Sequence, residues 1–237
     1  MRRSEAPDCC DCSRPAEAAP VRDRDQARRV TDRRSAALVF HALTGLPPEG
    51  PPVATLRVPR QQPGRRPAVA RPASARRFGP AGPDVDAAAR QVTGEVFGRD
   101  RDGRRAYPSA GGLYAVRGHL VQSHAGAVLA CAGDEQPTVG VVDAGAVREH
   151  AFAQVAGEPN WVVLTGRQPR YQERYGLRGY RYLLLEAGHL AQCLLDAAAR
   201  AGLRALPVGA FDDEGLAETL GLRGADQLPL YLIALGR

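Results

Sequence analysis

Apolar and polar positions alternate regularly from about residue 84 to the C-terminus. Asp84 can cap a helix, and the apolar residues that follow it recur every three to four positions, which is the spacing of a helix with one buried face. These residues are Val85, Ala88 or Ala89, Val92 and Val96.

Further along the chain, short β-branched and apolar runs predict strands, and longer periodic runs predict helices. Strands are expected at residues 113–122, 128–131, 138–142, 160–165, 206–211 and 228–235. Helices are expected at residues 144–154, at 180–201, and from a cap at Asp212 or Asp213 to Leu220.

The helix expected at residues 180–201 is the longest element and is predicted to be the central one. Gly202 supplies a natural stop after it. Its apolar stripe is expected to consist of Leu184, Gly188, Ala191, Leu195 and Ala198 or Ala199. Helices and strands follow each other without a regular βαβ repeat, so the predicted fold class is α+β.

The first 70 residues have a different composition from the rest. Of the 19 prolines, 13 fall within residues 1–83, where they interrupt helices and strands. We therefore predict an Arg/Pro-rich, partly disordered extension over residues 1–70, with a possible short helix at 35–43, and a folded domain over 71–237.

The net charge of the chain changes from positive to slightly negative at nearly the same position in the sequence. Residues 1–77 hold 16 Arg and 8 acidic residues, whereas residues 78–237 hold 16 Arg and 18 acidic residues. All 32 basic residues are Arg, so no lysine amine is available for catalysis. Aromatic residues make up 5% of the chain, which leaves few rings on which nucleic acid bases could stack.

Other common classes of protein are not indicated. No apolar run approaches the roughly 20 residues of a membrane span, and the N-terminus lacks the apolar core of a signal peptide, so a cytoplasmic protein is expected. Cys9, Cys10 and Cys12 have no second ligand pair that would complete a zinc site, and no metal is predicted. Neither a G-x-G-x-x-G nor a Gly-x-Ser-x-Gly motif is present.

Four segments carry unusual combinations of residues. One joins guanidinium groups to a serine hydroxyl, which suits a phosphate, and another has two glycines that leave backbone amides open to a flat ligand. Taken alone, each segment is also explained by a solvent-exposed face, a turn, or a helix side chain whose hydrogen bonds are made locally. The segments are Arg71-Pro-Ala-Ser-Ala-Arg-Arg-Phe78, Tyr107-Pro-Ser-Ala-Gly-Gly-Leu-Tyr114, Glu186-Ala-Gly-His-Leu-Ala-Gln192 and Pro207-Val-Gly-Ala-Phe-Asp-Asp213.

In this order and spacing, the segments resemble the nitroreductase-like flavoproteins, and among them the SagB-type thiazoline/oxazoline dehydrogenases of ribosomal-peptide modification. The most specific parts are the Pro-Ser-Ala-Gly-Gly loop and the run from Tyr175 to Gln192. The resemblance covers about residues 71–237. It implies an FMN-binding α+β fold with a mixed sheet around a long central helix, and a homodimer with flavin sites at the subunit interface.

The resemblance also implies roles for particular residues. Arg71, Ser74, Arg76 and Arg237 would hold the FMN phosphate, and Gln192 would reach a polar group of the flavin. Val208 and Gly209 would lie against the ring. The edge of the isoalloxazine would be lined by Pro108, Ser109, Ala110, Gly111 and Gly112.

The family's catalytic Lys-Tyr pair is represented here by Arg181 and Tyr182. Arginine stays protonated at neutral pH and cannot act as a base. The candidate base is therefore Tyr182, with a pKa lowered by the adjacent cation. Cys193 stands where the family usually has Asn, Pro72 where it has Arg, and Ala115 where it has Pro.

The expected activity is FMN-dependent oxidation of thiazoline or oxazoline rings in a ribosomally made peptide, with a cyclodehydratase as a candidate partner. Two alternatives remain open. One is an NAD(P)H-dependent FMN oxidoreductase of small molecules, and the other is a non-catalytic scaffold of the same fold in a peptide-modifying complex. No nucleic acid or membrane partner is predicted.

Overall fold

A computed structural model describes residues 74–133, 136–224 and 227–237. The extension expected over residues 1–70, its helix at 35–43, the three N-terminal cysteines and Arg71 lie outside the described residues.

The described residues are organised around a six-stranded sheet. Its spatial order is β3-β2-β1-β4-β6-β5, and every strand pair is antiparallel. The strands are β1 Val116–Val121, β2 Ala127–Cys131, β3 Thr138–Val141, β4 Asn160–Gly166, β5 Arg204–Val208 and β6 Leu228–Gly236.

The prediction of a mixed sheet is therefore corrected, since parallel pairing among the described residues is limited to an isolated bridge between Arg77 and Ala156. The physical reason lies in the connections. Antiparallel neighbours such as β1 and β2 are joined by a short turn, whereas a parallel pair needs a long crossover.

Helices cover both faces of this sheet. A 3-10 turn at Ala110–Gly112 precedes β1. The α-helices are α1 Pro83–Phe97, α2 Ala144–Glu149, α3 Gln168–Tyr175, α4 Arg178–Arg200 and α5 Asp213–Thr219. Residues of α1, α3 and α4 share one core cluster, and residues of α2 and α5 share the other. No helix among the described residues is both long and apolar enough to cross a membrane.

The α+β prediction is confirmed, and each predicted strand is present with slightly different ends. Three details differ. Helix α1 begins at Pro83 with Gly82 at its cap and without the Asp84 cap, α2 ends at Glu149, and β5 ends at Val208. Helix α3, rich in Arg, Gln and Glu, was not anticipated because only one narrow side of it is buried.

The long helix α4 lies on one face of the sheet, and its buried stripe is the expected one only in part, since Ala191 and Ala198 are buried as predicted. Leu183, Leu190 and Leu194 are fully buried, whereas Leu184 and Gly188 are exposed. The helix carries apolar residues on two faces, and spacing alone does not say which face the sheet will cover. Among the described residues, Leu184 and Leu185 on the other side of the helix remain exposed.

We predict that His119 makes the fold sensitive to mild acid. The side chain lies on β1 with its Nε2 atom 3.2 Å from the Thr165 hydroxyl. Burial, and secondarily the nearby Arg117 cation, lower the pKa of His119 below its usual value of about 6.5. The unfolded chain therefore binds more protons than the folded one just below pH 6.5, and stability falls as pH falls from there to the lowered pKa.

The measurement is urea unfolding of wild type and His119→Gln between pH 7.5 and 5. If unfolding binds one extra proton, the free energy of unfolding changes by at most about 1.4 kcal/mol per pH unit. His119→Gln should flatten the dependence, whereas His124→Gln, at an exposed position, should leave it unchanged. Equal slopes for wild type and His119→Gln would contradict the assignment.

Candidate functional site

The loop of residues 107–114 is a tight backbone turn that leads into β1. Its central residues form the 3-10 turn, with φ of +62° at both Gly111 and Gly112. This left-handed conformation is strained for residues with a side chain. Tyr107 is buried, whereas Pro108, Gly111 and Gly112 are exposed. The loop therefore presents small residues and backbone to the surface while its first tyrosine is anchored in the core.

A buried carboxylate on α4 holds this loop. The Oε2 atom of Glu186 accepts hydrogen bonds from the Ser109 hydroxyl at 2.6 Å and the Tyr171 hydroxyl at 2.5 Å. Its Oε1 atom accepts from the Val116 backbone N–H at 2.8 Å. The Ser109 Oγ atom in turn accepts from the Tyr114 N–H at 2.8 Å. The side chain of Ser109 thus faces into the protein, and only its backbone is left to line a ligand.

Three tyrosines form a cluster beside the loop. The ring centres of Tyr175 and Tyr182 are 4.9 Å apart with the rings nearly perpendicular, and those of Tyr171 and Tyr182 are 6.3 Å apart. The cation over the Tyr182 ring is the Arg178 guanidinium, 5.8 Å from the ring centre, and not the adjacent Arg181 that the sequence suggests. Residues four positions apart share one side of a helix, so Arg178 lies on the same side of α4 as Tyr182. Arg181 is the residue directly before Tyr182 and therefore points in a different direction.

Two phenols of the site are held protonated. Burial raises the pKa of Tyr107 to about 12, although Arg105 opposes the shift and donates a hydrogen bond to the phenol oxygen. Burial and the hydrogen bond to Glu186 raise the pKa of Tyr171 well above its usual value. Both phenols therefore stay protonated near neutral pH and do not act as bases, and Tyr171 donates its proton to the hydrogen bond with Glu186.

The expected phosphate-binding residues meet at another part of the domain. Ser74, Arg76 and Arg237 are all exposed. Their backbone segments are joined because the Ala75 N–H donates to the Ala205 carbonyl at 3.1 Å and the Gly79 N–H donates to the Arg237 carbonyl at 2.5 Å. The Arg237 guanidinium also pairs with the exposed Asp84 carboxylate at 2.5 Å. An exposed pair of this kind contributes about 0–1 kcal/mol, so a phosphate can displace it.

The remaining candidates differ in what they present to solvent. Gln192 lies on the exposed face of α4 and donates to Asp196 at 2.9 Å. Gly209 is exposed at the end of β5, beside the Tyr231 ring. The Val208 side chain is buried in the second core cluster, which leaves only its backbone to contact a ligand.

Within one subunit the loop and the phosphate-binding residues lie at opposite ends of the sheet. Val116, which follows the loop, pairs with Gly166 at one end of β4. At the other end, Asn160 pairs with Leu235, two residues before Arg237. Six residue steps along a strand at roughly 3.3 Å each give about 20 Å between the two ends. The two groups of expected site residues are therefore far apart within one chain, and each group is called a half-site below.

Each half-site has the chemistry that FMN needs. Exposed guanidinium and hydroxyl groups suit the phosphate, and the loop offers exposed backbone at Gly111 and Gly112. A Cβ atom at Gly112 would meet no atom within 4 Å, so the space beside it is open to a flat ring. The described residues contain no cluster of His, Cys, Asp and Glu that could hold a metal ion.

Glu186, Tyr171 and Tyr175 were not singled out from the sequence as site residues. The only signal for Glu186 is an acidic residue within an apolar helical run. Tyr171 and Tyr175 belong to α3, which was itself not anticipated, so their position beside the loop became visible only in the folded chain.

Comparison with known proteins supports this description. The sequence model of the Nitroreductase family matches residues 84–237, and the chain belongs to the nitroreductase family. A relative from Methanocaldococcus jannaschii, named Putative nitroreductase MJ1384, is 30% identical over 147 residues, which are 58% of this chain and 73% of that protein. The family consists of oxidoreductases that generally bind FMN.

Solved structures share the fold. A chain of the E. coli microcin synthetase McbBCD complex with truncated pro-MccB17 bound has a TM-score of 0.67 and 20% identity, covering 89% of this chain and 96% of that one. A nitroreductase-type protein of Ralstonia eutropha JMP134 has a TM-score of 0.59 and 20% identity, covering 75% of this chain and 87% of that one. At these identities, the likeness establishes the fold alone.

Two adjacent glycines provide a matched test of loop packing. A Cβ at Gly111 would lie 2.5 Å from the Tyr175 hydroxyl, whereas one at Gly112 would meet nothing within 4 Å. Gly112→Ala should cost about 1 kcal/mol for the left-handed backbone alone. Gly111→Ala should lose about 1–3 kcal/mol more, because Tyr175 must be displaced. Urea unfolding measures both, and equal losses would contradict this account of the packing.

Proposed function

We propose that the protein is an FMN-dependent dehydrogenase that oxidises thiazoline or oxazoline rings in a ribosomally made peptide. The observation that carries the proposal is the convergence of the Pro-Ser-Ala-Gly-Gly loop with the half-buried Tyr182, through the shared neighbour Tyr175. The fold likeness to the microcin synthetase complex, whose structure includes a bound peptide, is consistent with it.

Ser74, Arg76, Arg237 and, from outside the described residues, Arg71 would bind the phosphate. The backbone of residues 108–112 and the exposed Gly209 would line the ring. Gln192 would contribute a polar contact from α4, and the backbone at Val208 would contact the flavin ring.

The reaction removes one proton and one hydride from the azoline ring and leaves an aromatic azole. FMN, when bound, would supply the hydride acceptor, and molecular oxygen would be the final acceptor of the two electrons. The Tyr182 hydroxyl is the candidate base for the ring proton. The Arg178 guanidinium lies over the face of the Tyr182 ring, 5.8 Å from its centre.

A peptide substrate is favoured by the surroundings of the loop. A cavity of about 860 Å³ extends from Leu113 and Tyr114, and Glu218 is the one carboxylate among the described residues that line it. Five arginines line the same cavity: Arg99, Arg105, Arg117, Arg167 and Arg170. The positive charge of these arginines favours a peptide with acidic residues.

The test of function is a titration of the purified protein with FMN, followed by incubation with an azoline-containing peptide in one arm and NADPH in the other. Oxidation of the peptide, with a loss of two mass units per ring, supports the proposal. Rapid bleaching of the flavin by NADPH without peptide oxidation would favour the small-molecule oxidoreductase, and failure to bind FMN would favour the scaffold.

Tyr182→Phe is expected to lower the rate of peptide oxidation by about 100-fold or more, because a positioned general base contributes on that scale. The variant should keep its FMN content and its rate of reoxidation by oxygen, which do not need the phenol proton. An unchanged rate of peptide oxidation would remove Tyr182 from the mechanism.

We further propose that the active form is a homodimer whose second copy joins the two half-sites. The support is the open apolar face of α4, where Leu184 is 43% exposed and Leu185 is 56% exposed. Gln192 belongs to the same exposed side of the helix. A second copy placed against this face would cover the leucines and bring the loop of one subunit toward the phosphate residues of the other.

Leu185→Arg should convert the dimer to a monomer and abolish FMN binding together. The measurement is light scattering coupled to size exclusion, with the flavin spectrum recorded on the same peak. Val141→Arg, at a 79% exposed position on β3, is the matched control and should change neither. A Leu185→Arg protein that stays dimeric, or a monomeric wild type that binds FMN, would contradict the proposed interface.

A further inference from the structure

Glu186 is an unusual residue for the interior of this domain. It is 1% exposed, and its carboxylate accepts hydrogen bonds from two hydroxyls and one backbone N–H. Burial of a carboxylate is unfavourable unless hydrogen bonds compensate it, and a packed apolar residue is commonly at least as stable. Stability of the core alone therefore does not account for an acid at this position.

The contacts of Glu186 do account for it. They join three elements, because Ser109 belongs to the loop, Tyr171 to α3 and Val116 to the start of β1. Ser109 and Val116 stand on either side of the two glycines. One carboxylate therefore fixes both ends of the segment that carries the exposed backbone.

The donor set suits a carboxylate better than a neutral polar side chain of the same size. Both hydroxyls donate to Oε2 and the backbone N–H donates to Oε1, so each oxygen must accept. A glutamine has the same shape but replaces one acceptor with an NH₂ donor. In one orientation of the amide its NH₂ group faces the Val116 N–H, and in the other it faces the Ser109 and Tyr171 hydroxyls, which would have to turn from donors into acceptors.

We infer that Glu186 is the positioning residue of the site: through Ser109 and the Val116 N–H, it fixes the conformation of the 107–114 loop and thereby the affinity for FMN. The part that concerns FMN rests on the proposed function. The part that concerns the loop does not.

The experiment is a double-mutant cycle with Glu186→Gln, Ser109→Ala and the combined variant. The first measurement is amide hydrogen exchange of the cofactor-free proteins over residues 107–116, which include the Tyr114 and Val116 amides. The second is the FMN dissociation constant from quenching of flavin fluorescence. Leu216→Ala, in the other core cluster, is the control for general loss of stability.

Glu186→Gln should speed exchange at the Val116 amide and weaken FMN binding about 10-fold, the lower end of what loss of a supporting residue does to a bound group. If Glu186 acts through Ser109, the double variant should bind FMN far more tightly than the product of the two single effects predicts. Leu216→Ala should lower the unfolding midpoint but leave exchange in the loop and the FMN dissociation constant near wild type.

Unchanged exchange in Glu186→Gln, or fully additive effects of the two substitutions, would overturn the inference. So would an FMN dissociation constant unaffected by Glu186→Gln in a protein that binds FMN. A wild type that binds no FMN would instead overturn the proposed function, and the exchange measurements would still decide whether Glu186 fixes the loop.

Discussion

Strand β4 sets the constraint on which the rest of the domain depends. All seven of its residues are buried, so both faces of the sheet must be covered at its centre. Helices α1, α3 and α4 cover one face, and α2 and α5 cover the other. Because β4 pairs with β1 on one side and β6 on the other, its two ends also determine where the loop and the C-terminal Arg237 come to lie.

This arrangement explains why the site is divided. The loop precedes β1 at the Gly166 end of β4, whereas Arg237 follows β6 at the Asn160 end. The antiparallel register leaves no way for one subunit to bring these groups together without breaking the ladder. The second apolar face of α4 offers the means of joining them between two subunits, so the division of the site and the open face of the helix have a common explanation in the proposed dimer.

The chemistry available at the loop comes from hydroxyls, guanidinium groups and one carboxylate, since the chain has no lysine. Tyr107 and Tyr171 are kept protonated by their raised pKa values. Tyr182 differs from them in being only half-buried, with arginine over its ring. Tyr175 is also half-buried with an arginine over its ring, so the assignment of the base to Tyr182 in the proposed reaction rests on the resemblance to the family.

Local pattern was sufficient to predict the α+β class, the six strands and the position of the long helix, because period-two and period-3.6 repeats depend on neighbours along the chain. The motif segments likewise pointed to the loop and to the nitroreductase family. The FMN contacts of individual residues remain predictions.

Tertiary structure decided the rest. The face of α4 that packs on the sheet could not be read from spacing alone, because leucines such as Leu184 and Leu185 also lie outside the buried stripe and only the neighbouring elements select the buried face. The role of Glu186 could not be read either, since its partners lie 15, 70 and 77 positions away in the chain. A buried carboxylate acquires a function only from the donors that the fold brings to it. The sequence alone does not specify which donors come within hydrogen-bond distance.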